Sequence, residues 1–331
     1  MRTLFTLFLV ALLAAGGWVA WQLYVPVTPP ADTSLLLRPG FSTRRIALEL
    51  KKAGVIRSAL AFRIFQAVHP KLTLKAGEYR FDHEARMPQV YRRVARGDIY
   101  FHVVTIPEGY TMFDIAKAME DAGLGSTADF LKIFQTQLQL IADLAPQAKS
   151  LEGYLFPNTY EFTRTQTRVE MAAAMVHQFR LTAQQIGLVA TPDSDLNKVV
   201  TMASIVEKET AAPEERPLVA GVYFNRLAHH IALQADPSVI YAEQLEGRYQ
   251  GALHHDDMAY NSPYNTYRFT GLPPGPIGNP GKSALEAALH PQTTDYLYFV
   301  ADGSTGHHRF ARNLEEHNKN VVAYRHAMGV R

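Results

Sequence analysis

Val103-Val104-Thr105-Ile106-Pro107-Glu108-Gly109-Tyr110-Thr111, followed by Ile115-Ala116 and Ala122-Gly123-Leu124, carries a complete local folding pattern. The β-branched run predicts a strand and Gly109 a turn. Thr111 predicts a helix cap, Ile115-Ala116 the inner face of a two-turn amphipathic helix, and Gly123 its stop. The same order stands earlier as Leu35-Leu36-Leu37-Arg38-Pro39-Gly40-Phe41-Ser42, then Ile46-Ala47 and Ala53-Gly54-Val55-Ile56. Gly40 and Gly109, Ile46 and Ile115, and Gly54 and Gly123 are each 69 residues apart. Two copies are too few for a solenoid, so paired small modules are expected, near residues 35–56 and 103–124. Between them Ala76-Gly77-Glu78-Tyr79-Arg80-Phe81 predicts a strand, and residues 88–96 a helix. Short strands and short helices mixed in this way predict an α+β fold.

These units resemble LysM-type modules, which pair a glycine turn and a hydroxyl cap with the same Ile-Ala helix. The second copy carries the likeness better. The resemblance implies contact with N-acetylglucosamine polymers, whereas any strand-turn-helix unit would share the local pattern.

Working towards the N-terminus, Leu4 to Val25 contains no charged side chain. Its twenty-two residues, at about 1.5 Å of rise each, just cross a hydrocarbon core of roughly 30 Å. Trp18, Trp21 and Tyr24 gather at the far end, where an aromatic belt sits. A cleaved signal with Ala14-Ala15-Gly16 as processing site is the alternative. The apolar stretch runs well past that site, which favours an uncleaved single-pass anchor over residues 1–25. Arg2 and the terminal amine favour an N-in orientation, leaving everything after Pro26 outside the cytoplasm. Pro26-Val27-Thr28-Pro29-Pro30 then reads as a stiff tether, residues 26–33. The modules follow over 34–150 and a mixed α+β catalytic domain over 151–331. The dense aromatic segment from Leu151 to Phe162 marks that boundary.

Composition narrows the chemistry. The 331 residues are 47% hydrophobic with a net charge of +2, and their Lys and Arg form no basic stripe. Nucleic acid is excluded as a partner on that ground. Cysteine is absent, which removes disulfides, thiolate nucleophiles and Cys-ligated zinc. The histidine pairs at 229–230, 254–255 and 307–308 lack the HExxH pattern, and adjacent side chains are expected to point apart. No metal or cofactor is expected. His307 and His308, beside a glycine turn, remain candidates for substrate contact.

Thr191-Pro192-Asp193-Ser194-Asp195 offers caps for a long helix to about Thr210. Leu196, Val199, Val200, Ala203 and Val206 share one face, and Met202 and Ile205 widen it, so the helix is expected to be largely buried. Its end carries Glu207 and Glu209. A carboxyl held among apolar groups resists ionisation, which suits a general acid near neutral pH. On a helical wheel Glu207 falls beside Val200 and Ala203, and Glu209 at the edge between Met202 and Ile205. Spacing leaves the two open, as it does the plain alternative of a solvated last turn paired with Lys208 or Arg216.

Met202 to Thr210, with Arg216 to Leu227, Leu233 to Tyr241, Tyr264-Asn265-Thr266-Tyr267 and Gly271 to Ile277, resembles the endolytic murein transglycosylase family (YceG-like). Order, spacing and membrane anchor all match. The resemblance implies non-hydrolytic cleavage of peptidoglycan between N-acetylmuramic acid and N-acetylglucosamine, within the strand, leaving a 1,6-anhydro end. It also implies a bacterial inner membrane, with the remainder on the periplasmic side, and a link to cell-wall synthases. Other lytic transglycosylases place Glu before a small hydroxyl residue. Glu209-Thr210 fits that pattern and Glu207-Lys208 does not, so Glu209 is the expected catalytic acid and Glu207 the reserve.

Expected substrate-binding residues are Gln234, Asp236, Tyr264, Asn265, Thr266 and Tyr267. An amide both donates to and accepts from sugar hydroxyls, and rings stack on apolar sugar faces. Asp236-Pro237 reads more readily as a helix cap followed by its first residue. Gly271 to Gly281 is a rigid loop read as a groove wall, with Ser283 capping the helix after it. A lysozyme-like hydrolase with Asp236 or Glu207 as partner carboxylate is the second reading. A non-catalytic glycan-binding scaffold is the third.

Overall fold

A computed structural model describes residues 2–189, 195–303 and 305–329. The chain divides into two compact units, Met1–Val103 with Glu161–Thr167, and Val104–Tyr160 with Arg168–Arg331.

The first unit opens with α1 (Arg2–Tyr24), an apolar helix of 23 residues with almost no burial. Its length and composition suffice to cross a membrane, as a single-pass anchor does. Then come β1 (Thr33–Leu37), α2 (Thr43–Lys52), α3 (Ala59–Ala67), β2 (Gly77–Phe81) and α4 (Met87–Arg96). β1 and β2 pair antiparallel with Leu35 opposite Tyr79. Leu37, Ile46, Leu50, Phe62, Tyr79 and Tyr91 are buried in one core. The Tyr79 hydroxyl stays satisfied there by donating to the Lys75 and Val94 carbonyls at 2.9 and 3.2 Å.

Next along the chain are β3 (His102–Thr105), α5 (Met112–Asp121), α6 (Thr127–Thr136), β4 (Thr159–Phe162), α7 (Arg168–Gln185) and α8 (Leu196–Glu209). They are followed by α9 (Arg216–Ala228), α10 (Asp236–Leu245), α11 (Lys282–Leu289), β5 (Tyr298–Ala301), β6 (His308–Ala311) and α12 (Leu314–Ala327). β3 pairs with β4, where Ile106 N–H donates to the Asn158 carbonyl at 2.9 Å and the Thr105 and Thr159 hydroxyls meet at 3.0 Å. β5 and β6 form an antiparallel hairpin with Tyr298 opposite Ala311. α8 packs between α9 and α11, and its residues from Val200 to Val206 are buried. The fold is mixed α+β.

The repeat is real and longer than its sequence signal. Ser42 and Thr111 both cap, accepting from Arg45 N–H and Asp114 N–H. Gly40, Gly54, Gly109 and Gly123 all take the left-handed conformation, at φ of 83°, 71°, 78° and 72°, which a Cβ would penalise. A second capped helix follows each copy, α3 after Ser58 and α6 after Ser126. Each copy therefore runs strand, helix, helix, strand.

Several local expectations fail. Helical patterning in the sequence runs from Thr127 to about Ala145, but α6 stops at Thr136. Gly281 precedes α11, with Ser283 inside the helix, because the chain is already helical at Lys282. Asp236 opens α10 behind Ala235 and caps nothing. The rigid loop is buried and packed into the interior from Gly275 to Gly281, while its start, Leu272 to Pro274, lines a cavity of about 500 Å³ as a groove wall would. Its Ile277 N–H donates to the Ser204 hydroxyl at 3.0 Å. The cap candidates 191–194 lie outside the described residues, while Asp195 does cap α8 through Lys198 N–H.

Candidate active site

The last turn of α8 carries its two glutamates into different surroundings. Glu207 enters a closed seam. Its Oε1 accepts from Arg216 at 2.6 Å and its Oε2 from Gly281 N–H at 2.9 Å. The two side chains of the ion pair are only 4% and 6% exposed. The turn of the second repeat closes the seam, since Gly109 N–H donates to the Asn279 carbonyl and Asn279 N–H to the Tyr110 carbonyl, both at 2.8 Å. A Cβ on Gly109 would stand 3.4 Å from Glu207 Cγ. Burial pushes the Glu207 carboxyl up, and the Gly281 amide and Arg216 pull it back. Both of its oxygens are committed to protein partners.

Glu209 enters a cavity of about 390 Å³, within the range of ligand pockets. Tyr223 and Arg226 reach it from one face of α9, three residues apart. Leu233, Gln234 and Asp236 come from the segment into α10, with Tyr267 beyond it, Tyr298, Phe299 and Val300 from β5, and His317 from α12. Glu209 Oε1 is buried with no hydrogen-bond partner, and so is His317 Nδ1. Buried polar atoms are nearly always paired, so two orphans in one cavity mark a place for a polar ligand. Burial pushes the Glu209 carboxyl up to about 7, with Asp236 adding to the rise, while the Tyr223 hydroxyl donates to it and Arg226 attracts it.

Arg226 builds much of the wall. It donates to the Leu297 carbonyl at 2.8 Å, the Leu233 carbonyl at 2.6 Å and Gln234 Oε1 at 3.4 Å. A guanidinium forks in this way because its donors are fixed in a plane. Gln234 sits at φ 54°, a conformation a side chain rarely adopts outside functional or turn positions. Its N–H donates to the Thr266 carbonyl at 3.1 Å, and Thr266 Oγ1 accepts from Ala235 N–H at 2.9 Å.

Among the sequence candidates, Glu209, Gln234, Asp236 and Tyr267 therefore share one cavity, with the Tyr267 hydroxyl donating to Asp236. Asn265 is buried behind it, its amide donating to the Met258 and Tyr260 carbonyls at 3.1 and 2.7 Å. Thr266 is buried too, and the Tyr264 ring packs 5.1 Å from that of Tyr241. These three do not line the cavity. Tyr223, Arg226, Tyr298 and His317 were missed. The spacing of Tyr223 and Arg226 on one helix face was the only sequence signal for any of them.

Glu152 is a further buried acid, pushed to about 8 by burial. Its oxygens accept from Met112 N–H at 2.9 and 3.1 Å and from Asn279 Nδ2 at 2.7 Å, so it ties the start of α5 to the proline loop. His307 and His308 converge on Glu215 at 3.3 and 2.7 Å, contrary to the expectation that neighbours point apart. The hairpin turn brings both rings to one carboxylate. Among the described residues no group of three or more His, Asp or Glu side chains is arranged to hold a metal ion.

Residues 35–323 match the sequence model of the YceG-like family. The chain belongs to the YceG-like family. An endolytic murein transglycosylase of Bacillus subtilis (strain 168) is 33% identical over 327 residues, which cover 92% of this chain and 88% of that protein. A second endolytic murein transglycosylase, from Streptococcus pneumoniae (strain R6), is 31% identical over 95% of this chain, which spans 63% of that longer protein. A crystal structure of a YceG-like protein from Listeria monocytogenes aligns with a TM-score of 0.57 at 33% identity, covering 86% of this chain and 98% of the other. The YceG-like match takes in both repeats, the seam and the cavity.

Proposed function

We propose that this protein is an endolytic lytic transglycosylase of peptidoglycan, with Glu209 as its acid and then its base. One observation carries the assignment: Glu209 keeps a buried, unpartnered carboxyl oxygen on the cavity, with its acidity tuned to about 7. The names of its relatives supply the substrate class. Protonated Glu209 gives its proton to the glycosidic oxygen between N-acetylmuramic acid and N-acetylglucosamine as the C1–O bond breaks. The muramoyl C6 hydroxyl bonds to C1, and the Glu209 carboxylate takes the C6 proton. One carboxyl serves both steps, and no water is consumed.

Gln234 and Tyr267 supply hydrogen bonds and a ring face to the sugar, and Arg226 with Thr266 positions Gln234. Tyr264 and Asn265 hold the segment from behind. α1 is the membrane anchor, with the N-terminus inside and the chain after Pro26 outside the cytoplasm. The two strand-helix-helix-strand copies are LysM-like modules for glycan contact.

A specific observation favours a second reading. Asp236 lines the same cavity, so it is available to activate water as the second carboxylate of a hydrolase. Digestion of purified glycan strands by the full-length protein, with products weighed by mass spectrometry, separates the two. Ends lighter by one water are expected. Reducing ends of full mass make the enzyme a hydrolase, and intact strands remove catalysis altogether.

A further inference from the structure

α3 carries an apolar stripe that no other part of the described chain covers. Leu60, Ile64 and Val68 are 55%, 43% and 67% exposed, and their spacing of four places them along one side of the helix. Leu72, 44% exposed, continues the line. The adjoining side, with Ala61 and Phe62, is buried in the core of the first unit. Apolar side chains therefore extend well beyond the buried side of this short helix, and only Arg63 and Gln66 leave a narrow polar strip.

The end of α1 lies beside it. Arg57, one turn before Leu60, donates to the Val25 and Pro26 carbonyls, each at 2.6 Å. Its guanidinium also sits 5.2 Å from the Trp21 ring centre. Leu23 packs on the same core as Phe62. α3 is thus fastened where α1 ends, beside Trp21, one of the aromatic residues at this end of α1 of the kind that gather at a membrane–water interface. Arg63 and Lys71 are exposed along the stripe, with charges suited to anionic headgroups.

We propose that α3 is a second membrane contact, its Leu60, Ile64 and Val68 side lying in the headgroup–acyl boundary of the bilayer that α1 crosses. The occupant is the lipid surface because the stripe continues from the anchor and is flanked by cations, as in amphipathic helices that lie in the interface. The inference rests on the reading of α1 as an anchor. Its consequence is orientation: one spanning helix leaves the first unit free to swivel, and a second contact fixes one side of that unit to the bilayer.

The chain has no cysteine, so single-cysteine variants carry one spin label each. Full-length protein in nanodiscs of zwitterionic and anionic phospholipid is labelled in turn at Leu60→Cys, Ile64→Cys, Val68→Cys and Leu12→Cys. Collision with oxygen is compared with collision with a water-soluble nickel chelate. Leu12 gives the lipid-exposed value and free label in buffer the aqueous one. The three α3 labels are expected to be several-fold more accessible to oxygen than to nickel. Nickel-accessible α3 labels beside a nickel-shielded Leu12 overturn the proposal and leave the anchor standing. Labels shielded from both reagents put a protein on the stripe and overturn it equally. A nickel-accessible Leu12 overturns the anchor reading, and this inference with it.

Discussion

Two regions meet at the end of α8, and two glutamates separated by one lysine fall into one each. Around Glu207 the chain is closed: Arg216, Gly281 and the Gly109 turn use both carboxyl oxygens and fill the space. Around Glu209 it is open: a cavity of about 390 Å³, an oxygen without a partner and an acidity near 7. Both carboxyls are buried, so burial alone does not mark a reactive acid. The difference lies in what is left unsatisfied. A buried ion pair with its hydrogen bonds made is structural material, whereas a desolvated carboxyl facing a hollow waits for a proton acceptor.

The strongest way to break this comparison is to exchange the two acids for amides in turn. Glu209→Gln is expected to lower the rate of strand cleavage by about 10³-fold, within the range for loss of a general acid, with the melting temperature held or raised. Retained anhydro product in that variant moves the role to Glu207. The seam is tested by stability. Glu207→Ala leaves the buried Arg216 with only the half-exposed Glu108, 3.4 Å away, as its ion-pair partner, a change expected to cost up to about 3–5 kcal/mol. Urea denaturation checks this, and a loss below about 1 kcal/mol, as for surface pairs, would show the seam to be solvated.

A third expectation concerns pH. The Glu209 carboxyl is raised from the ordinary 4.5 to about 7, so its protonated form favours the folded state below 4.5. That contribution is lost as pH rises through about 7. Glu209→Gln does not ionise, so its stability advantage over the native chain should grow between pH 4.5 and 7, by at most about 3 kcal/mol. Cleavage should fall over the same alkaline limb, since the acid must enter protonated. A stability gap that does not change with pH would contradict the burial of Glu209. The smallest effect is expected from Tyr223→Phe. Removing a donor to the carboxylate raises its pKa further, and the alkaline limb should move to higher pH by less than about one pH unit. Movement the other way would mean that Tyr223 does not donate to Glu209.

Much of the scaffold was legible. The 69-residue repeat announced two capped helices and four left-handed glycines because caps and turns are set by dihedral preference and one side-chain oxygen, all within a few residues. The apolar run of α1 and the buried stripe of α8 were legible for the same reason, a periodicity contained in one segment. Asp236 shows where this stops. Asp then Pro is a local cap signal, yet the cap is Ala235 and the carboxyl of Asp236 meets Tyr267 from a distant segment. The proline loop was legible in part: Leu272 to Pro274 line a cavity, but the burial of the rest against Ser204, Tyr110 and Glu152 was not readable.

The sequence by itself determined the α+β pattern, the repeat, the apolar helix at the N-terminus and a helix ending in two glutamates two positions apart. Its geometry left those two open, since a helical wheel places Glu207 on the apolar face and Glu209 at its edge, and either position suits a buried acid. Tertiary structure alone decided which of them is enclosed by partners and which keeps an oxygen free. Desolvation is the reason. The field at a carboxyl is set by every atom within a few ångströms, and here those atoms come from α9, the segment before α10, Tyr267, β5 and α12, far apart in the chain and adjacent only once it has folded.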